Sequence, residues 1–252
     1  MTASISAIFF DVGGTLRRNT PRDPAARAVG ARQILGLLGS SASADDFAQT
    51  LAARADAYEE WAAATLTELD ESRLWTEWMV PEYPPGQIRP LALQLNQIWR
   101  ETIATRALFP ETVPALHALH LNGYRLGLIS NTTSPTDALD MFTAAGIASL
   151  FEVVLLSCVF GRRKPDPAIL IAAADRMGVP PGRCAYIGDR LDWDVCAARA
   201  AGFGLAVLVR APVKPVEVEP APDLTPDLSI DHLLELLPIF PPRIGRVIQS
   251  EG

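Results

Sequence analysis

The stretch ISAIFFDVGGTL, Ile5 to Leu16, decides the reading of this chain. Its first half is a run of apolar and aromatic residues with two small interruptions, the pattern of a strand buried on both faces. The run stops on an acid, Asp11, and Gly13 and Gly14 follow, which let the backbone turn sharply and approach a ligand closely. Thr15 adds a hydroxyl free to hydrogen-bond. Taken alone, the same letters also describe a strand that ends in an ordinary Asp-Gly turn. The rest of the chain decides between the two.

Composition limits the choices. The chain has 252 residues, 49% hydrophobic and 20% charged, enough to bury a substantial core as one large domain or two small ones. A net charge of -7 and a pI near 5.0 argue against a general nucleic-acid or anionic-membrane surface. Cys158, Cys184 and Cys196 are odd in number and widely spaced with no CxxC pair, the usage of reduced interior cysteines. No apolar run approaches the ~20 residues of a membrane span, and no basic leader precedes the first strand, so a cytoplasmic location is expected.

Downstream of Leu16 the character changes. From Pro24 to about Arg106 the chain is rich in Ala, Leu, Glu, Gln and Arg, which predicts a helical insert: a first helix opened by Asp23-Pro24, then helices over 47–66, 71–79 and 89–105. Trp61, Trp75, Trp78 and Trp99 at helical spacing are expected to form the core of that bundle. From Leu108 onward helices and strands alternate, with strands expected over 124–129, 153–156, 184–187 and 203–209 and helices over 110–121, 136–145 and 169–177. This is the pattern of a parallel sheet covered on both faces. Residues 211–227 are expected to be an extended connection, followed by a last helix over 231–237 and a loosely held tail after Pro238.

Asp11, Ser130-Asn131 and Asp189 each directly follow an apolar strand. Parallel strands place such ends on one edge of the sheet, where open α/β folds bind ligands. Lys164, in a Pro-flanked loop after a fourth strand, can bring a positive charge to the same rim. A nucleophilic carboxylate, a hydroxyl and amide donor, a lysine and further carboxylates suit phosphoryl transfer through an aspartyl-phosphate. Mg²⁺ is expected to bridge Asp11, a backbone carbonyl near Gly13 and Asp189, because hard oxygen ligands suit that ion.

Four segments then carry a resemblance to the haloacid dehalogenase superfamily of aspartate-nucleophile hydrolases. They are FFDVGGTL from Phe9, LGLISNTT from Leu126, GRRKPDPAIL from Gly161 and YIGDRLDWDV from Tyr186, in the family's order. The resemblance implies a Rossmann-like α/β core over 1–16 and 107–240, an inserted all-helical cap over 17–106 and a C-terminal tail over 241–252. It also implies that Asp11 is the nucleophile and that Ser130 and Lys164 hold the phosphoryl group together with Asn131, Gly14 and Thr15. Asp11, Gly13, Asp189 and Asp194 are implied to hold Mg²⁺.

One departure matters. Phosphatases of that superfamily usually carry a second Asp two residues after the nucleophile as general acid and base, and this chain has Gly13 there. General acid–base help is typically worth ~10² to 10⁴-fold, so substrates with good leaving groups, such as acyl and aryl phosphates, are the expected ones. The leading expectation is therefore a Mg²⁺-dependent hydrolase or phosphotransferase of a small phosphorylated metabolite. Two alternatives stay open: a metal-independent dehalogenase-type enzyme whose Asp11 attacks carbon, and a weakly catalytic binder of a phosphorylated ligand. Among neighbouring residues, Arg162 and Arg163 can attract a phosphorylated substrate but read at least as well as a solvated basic loop, Arg190 as a residue of the pocket rim and Asp192 as a first-turn acid. His117 and His120, on one helix, lack a third metal ligand.

Overall fold

Strand β1 (Ala7–Phe10) alternates strictly between two buried layers. Ile8 and Phe10 enter one hydrophobic cluster and Ala7 and Phe9 the other, all with no exposed surface. Such a strand needs cover on both faces, which a parallel sheet between helices supplies. In the computed structural model, which describes residues 4–210 and 224–243, β1 is the third strand of a six-stranded sheet. The other five are β4 (Arg125–Ser130), β5 (Phe151–Leu156), β6 (Cys184–Gly188), β7 (Leu205–Val209) and β8 (Leu228–Ile230). Their order is β5-β4-β1-β6-β7-β8, and every pairing is parallel. All six carboxyl ends therefore share one edge, and the chain is an α/β protein with a Rossmann-like sheet.

Between β1 and β4 lies a helical insert with a hydrophobic cluster of its own. Its helices are Pro24–Leu38, Ala44–Thr65, Glu71–Arg73 running on into a π-helical turn over Leu74–Met79, the short Pro85–Ile88 with a 3₁₀ turn over Arg89–Leu91, and Ala92–Ile103. The N-termini form where side chains satisfy free amides: Asp23 accepts from Ala25 N at 2.8 Å and Asp70 from Arg73 N at 2.8 Å. Trp75 and Trp99 are buried in the cluster, with Trp61 and Trp78 packed against it, as their spacing predicts. The insert is joined to the sheet by an antiparallel ribbon, β2 (Arg17–Pro21) paired with β3 (Ala104–Leu108).

That ribbon corrects the expected helix over 89–105: the helix stops at Ile103 and the chain turns extended at Ala104, where φ is -155°. Neither RRNTP nor ATRAL alternates apolar with polar residues, because four of the five β2 positions are exposed. The expected last helix over 231–237 starts later, as a 3₁₀ turn over Leu233–Glu235 that runs into a short helix, Leu236–Ile239, directly after β8. Residues just past Pro238 are anchored rather than loose. Asn122 Nδ2 donates to Phe240 O at 2.9 Å, Tyr124 OH to Pro241 O at 3.1 Å, and Arg243 N to Asn122 O at 2.9 Å. Most of the 211–227 connection and the end of the tail lie outside the described residues.

Candidate active site

Asp11 follows the last residue of β1, Ser130 ends β4, and Gly188-Asp189 end and follow β6, so three neighbouring strands deliver polar groups to one rim. Lys164 arrives from the loop beyond β5. That loop is fixed to the rim by the Asn131 side chain, which accepts from Lys164 N at 2.9 Å and donates to Lys164 O at 2.9 Å. The lysine is only 1% exposed, and Nζ lies 2.7 Å from Asp11 Oδ1, 2.6 Å from Asp194 Oδ1 and 2.7 Å from Tyr186 OH. An ammonium this buried is kept charged by its partners. Burial alone would lower its pKa, but the two carboxylates outweigh burial and hold it well above the ordinary value.

Two glycines make room for the acids. Gly14 has φ +83°, and a Cβ there would stand 2.1 Å from Asp189 Oδ2, so only glycine fits both the angle and the contact. At Gly188 a Cβ would meet Asp194 Cγ at 2.4 Å. The close approach lets Asp194 Oδ2 accept from the backbone amides of Asp189, at 3.1 Å, and Arg190, at 3.0 Å. Gly13 is different. Its φ is not in the left-handed region, and the nearest group to a Cβ there is Asn19 Nδ2 at 3.3 Å.

Carboxylate oxygens of Asp11, Asp189 and Asp194 lie within 4.8 Å of one another. Burial, with the neighbouring Asp194 adding to it and Lys164 opposing it, pushes Asp11 up to about 6. Burial together with Asp11 and Asp194 pushes Asp189 up to about 8, and Asp189 Oδ1 is buried without a hydrogen-bond partner among the described residues. Three converging carboxylates, one with an orphaned oxygen, are a hard-oxygen donor set that fits a small divalent cation.

These groups open into a pocket of about 230 Å³ lined by Asp11, Gly13, Asn19, Ser130, Asn131 and the Asp189–Asp194 turn, where Arg190 and Trp193 form one wall. Among the described residues, Ser130 Oγ makes only a long contact of 3.4 Å, to Asn131 O. The structure does not bring Gly14 and Thr15 into this pocket. They line a separate cavity of about 160 Å³ with Phe109, Glu111, Val209, Arg210 and Asp231. Thr15 Oγ1 is fully buried there and has no hydrogen-bond partner among the described residues.

Several residues near the site escaped the sequence reading. Arg163, expected in a solvated loop, is 2% exposed: it pairs with Glu59, lies 3.6 Å from Glu68 and stacks 5.2 Å from the Trp193 ring centroid. Arg190 flanks the same ring at 4.4 Å and is paired with Asp192. Glu68, from the insert, accepts from Tyr58 OH at 2.5 Å and from Ser157 Oγ at 3.1 Å, and Ser157 Oγ in turn accepts from Thr132 N at 2.8 Å. The insert is thus wired, through Ser157, to Thr132 in the loop that follows Ser130 and Asn131. A second junction gathers Arg17, Arg100 and Arg106 around Asp137 Oδ2 at 2.7, 2.9 and 3.5 Å. No sequence spacing signals either cluster, because each is assembled from segments far apart in the chain. Arg162 pairs with Asp166. His117 and His120 are exposed on their helix.

Fold and rim together define a Rossmann-like α/β protein with a polar site at the carboxyl edge of its sheet and a helical insertion held against it. The chain belongs to the haloacid dehalogenase-like hydrolases, whose family profile matches residues 5–202. Among curated relatives, it is 30% identical to the glyceraldehyde 3-phosphate phosphatase of Methanopyrus kandleri over 191 residues, 69% of this chain and 81% of that protein. It is 34% identical to the phosphoglycolate phosphatase of Nitrosococcus oceani over 129 residues, 51% of this chain and 55% of that protein; phosphoglycolate phosphatases are thus matched over about half their length. Similar folds include a phosphatase of the same superfamily from Thermococcus onnurineus, with TM-score 0.62, 22% identity and coverage of 94% of this chain and 99% of that one. A 2-haloacid dehalogenase from Pseudomonas syringae pv. Tomato DC3000 has TM-score 0.62 and 23% identity over 92% and 96% of the two chains. Among the described residues, no helix is long and apolar enough to cross a membrane.

Proposed function

We propose that the protein is a Mg²⁺-dependent phosphohydrolase or phosphotransferase of small phosphorylated molecules that works through an aspartyl-phosphate on Asp11. The observation that carries this reading is the placement of Asp11: it lines the pocket at the end of the central strand, with Lys164 Nζ on its Oδ1 and two further carboxylates within reach of one cation. Phosphatase names among the relatives support the same substrate class. A pocket of about 230 Å³ is smaller than the ~300 to 1,000 Å³ of ordinary ligand sites, which suits a phosphoryl group with a small leaving group. The helical insert serves as the cap over this site.

Asp11, Asp189, Asp194 and the Gly13 carbonyl are the groups to hold the ion, which when bound neutralises charge on the phosphoryl oxygens. Lys164 engages Oδ1 of Asp11 and leaves the other carboxylate oxygen to attack phosphorus. As the new O–P bond forms, the P–O bond to the leaving group breaks and its electron pair stays on the departing oxygen. Ser130 and Asn131 at the pocket wall orient the transferred group. Water then attacks phosphorus, the bond to Asp11 breaks, and phosphate leaves with the carboxylate restored. Gly13 offers no side chain to help either proton transfer. Substrates whose leaving groups depart as stable anions, acyl and aryl phosphates, are therefore favoured, and the second step is the slower one.

A dehalogenase reaction at carbon is the less favoured reading, because Asp189 and Asp194 complete with Asp11 a donor set for a divalent cation that attack at carbon does not need. Assays with p-nitrophenyl phosphate, an acyl phosphate and a short 2-haloacid, with and without Mg²⁺, separate the two. Metal-dependent release of phosphate supports the proposal, whereas metal-independent release of halide alone overturns it.

A further inference from the structure

The place left empty at Gly13 is not vacant space. Its Cβ direction points at Asn19 Nδ2, 3.3 Å from where that carbon would be, and both residues line the same pocket as Asp11. Asn19 comes from a different element, the middle of β2, where it faces Arg106 of β3 in register. It is exposed, and among the described residues its side chain makes no hydrogen bond within the protein. A short polar side chain without a partner, held on a paired ribbon beside the nucleophile, is free to bind whatever enters the pocket.

We infer that the Asn19 amide contacts the leaving-group oxygen of the substrate and makes the enzyme selective for leaving groups that need no proton; the inference rests on the phosphoryl-transfer reading above. An amide N–H donates a hydrogen bond but does not surrender its proton near neutral pH. As Asp11 attacks and the P–O bond breaks, the departing oxygen keeps the bonding electron pair. Asn19 Nδ2 donates to that oxygen, which leaves as an anion and is protonated later by water. A carboxylic acid at this place would deliver a proton and serve alkyl phosphates as well. Asn19 stabilises charge without neutralising it, so its help grows with the charge on the leaving oxygen but does not rescue an alkoxide. Another wall of the pocket carries Trp193, whose ring Arg163 and Arg190 overlie at 5.2 and 4.4 Å.

The test is a series of aryl phosphates from dinitrophenyl to unsubstituted phenyl, measured as kcat/KM for the wild type and for Asn19→Ala in Mg²⁺. Because Asn19 is exposed and unpaired, the variant should fold like the wild type, which thermal melting checks. The expected result is a steeper dependence on leaving-group pKa: roughly 10-fold loss for phenyl phosphate and little change for dinitrophenyl phosphate, the size of one hydrogen bond to a developing charge. In a Gly13→Asp background the same substitution should lose this leaving-group dependence, since the new carboxyl group reaches the same oxygen. If Asn19→Ala lowers every substrate by the same factor, or none, the leaving-group role of Asn19 is overturned while the phosphatase reading stands. If the wild type hydrolyses none of the series with any divalent ion, the phosphatase reading falls and this inference with it.

Discussion

Lys164 Nζ lies 2.7 Å from Asp11 Oδ1 in a site where the lysine is 1% exposed and Asp11 is 7% exposed. On the proposed mechanism, a buried ammonium bound to the Asp11 carboxylate fixes its rotamer and compensates the charge that gathers around a phosphoryl group. Replacing Lys164 by Met, of similar length and without charge, is expected to lower kcat by roughly 10² to 10³-fold, the usual effect of removing one preorganised charge-stabilising donor. A loss below about 5-fold in steady-state assays would contradict this role.

Asp11→Asn should abolish turnover and leave the fold intact. The amide cannot supply the attacking oxygen, but it keeps the shape of the carboxylate and an oxygen that accepts from Lys164 Nζ, and Asp194 remains to hold the ammonium. Circular dichroism and melting should match the wild type while phosphate release disappears. Wild-type activity in the purified variant would remove Asp11 from the mechanism.

The raised carboxyl groups set a pH dependence of the metal-free protein. Asp189 and Asp11 have folded-state pKa values of about 8 and about 6, above the ordinary 3.8, so the folded state binds more protons than the unfolded one between these values. Their contribution to stability is full below about pH 4 and is lost as pH rises through 6 and then 8. In EDTA, Tm should therefore fall between roughly pH 5 and pH 9. Mg²⁺ should raise Tm, most at the upper end, because a cation prefers the ionised carboxylates. A Tm in EDTA that rises over this range would contradict the convergence of the three acids.

Gly13 and Gly14 should respond oppositely to substitution. Gly13→Asp is expected to fold, because its φ is ordinary and the only nearby group, Asn19, is exposed and can move. It should raise alkyl phosphate turnover selectively, by at most about 10² to 10⁴-fold. Gly14→Ala puts a Cβ 2.1 Å from Asp189 Oδ2 at a left-handed φ, so it should displace Asp189 and weaken Mg²⁺ binding measured by calorimetry. Unchanged Mg²⁺ affinity in Gly14→Ala, or no shift of Gly13→Asp towards alkyl esters, would overturn the corresponding assignment.

Asp137 offers a stability test away from the chemistry. Burial favours its neutral form, but Arg100, Arg17 and Arg106 outweigh burial and hold it below the usual carboxylate range. Asp137→Ala leaves three clustered arginines without their shared carboxylate, and breaking a buried pair of this kind typically costs about 3 to 5 kcal/mol. Urea unfolding is the check, and a loss under about 1 kcal/mol would show that the junction does not hold the insert to the sheet.

What was legible in the sequence follows from burial. The central strands carry unbroken apolar runs because both their faces are covered, and each run stops where a polar group reaches the sheet edge, so Asp11, Ser130, Asn131 and Asp189 could be read as one rim. The β2–β3 ribbon was not legible, since a two-stranded exposed pair needs no apolar alternation. Asn19 was lost with it. The resemblance implies Thr15 as a phosphate ligand, but the turn buries its hydroxyl in the neighbouring cavity. Arg163 reads as a surface charge until Glu59, Glu68 and Trp193 are brought to it from three other segments.

The most direct test of the central claim is to quench the wild-type enzyme in acid during turnover of an aryl phosphate with Mg²⁺ and map the peptides by mass. With no side chain at Gly13 to activate water, the covalent intermediate should accumulate. One phosphoryl group is expected on the peptide that carries Asp11, and borohydride should reduce that residue to homoserine. A phosphoryl group on another residue, or none on Asp11 under conditions where the enzyme is turning over, would contradict the account.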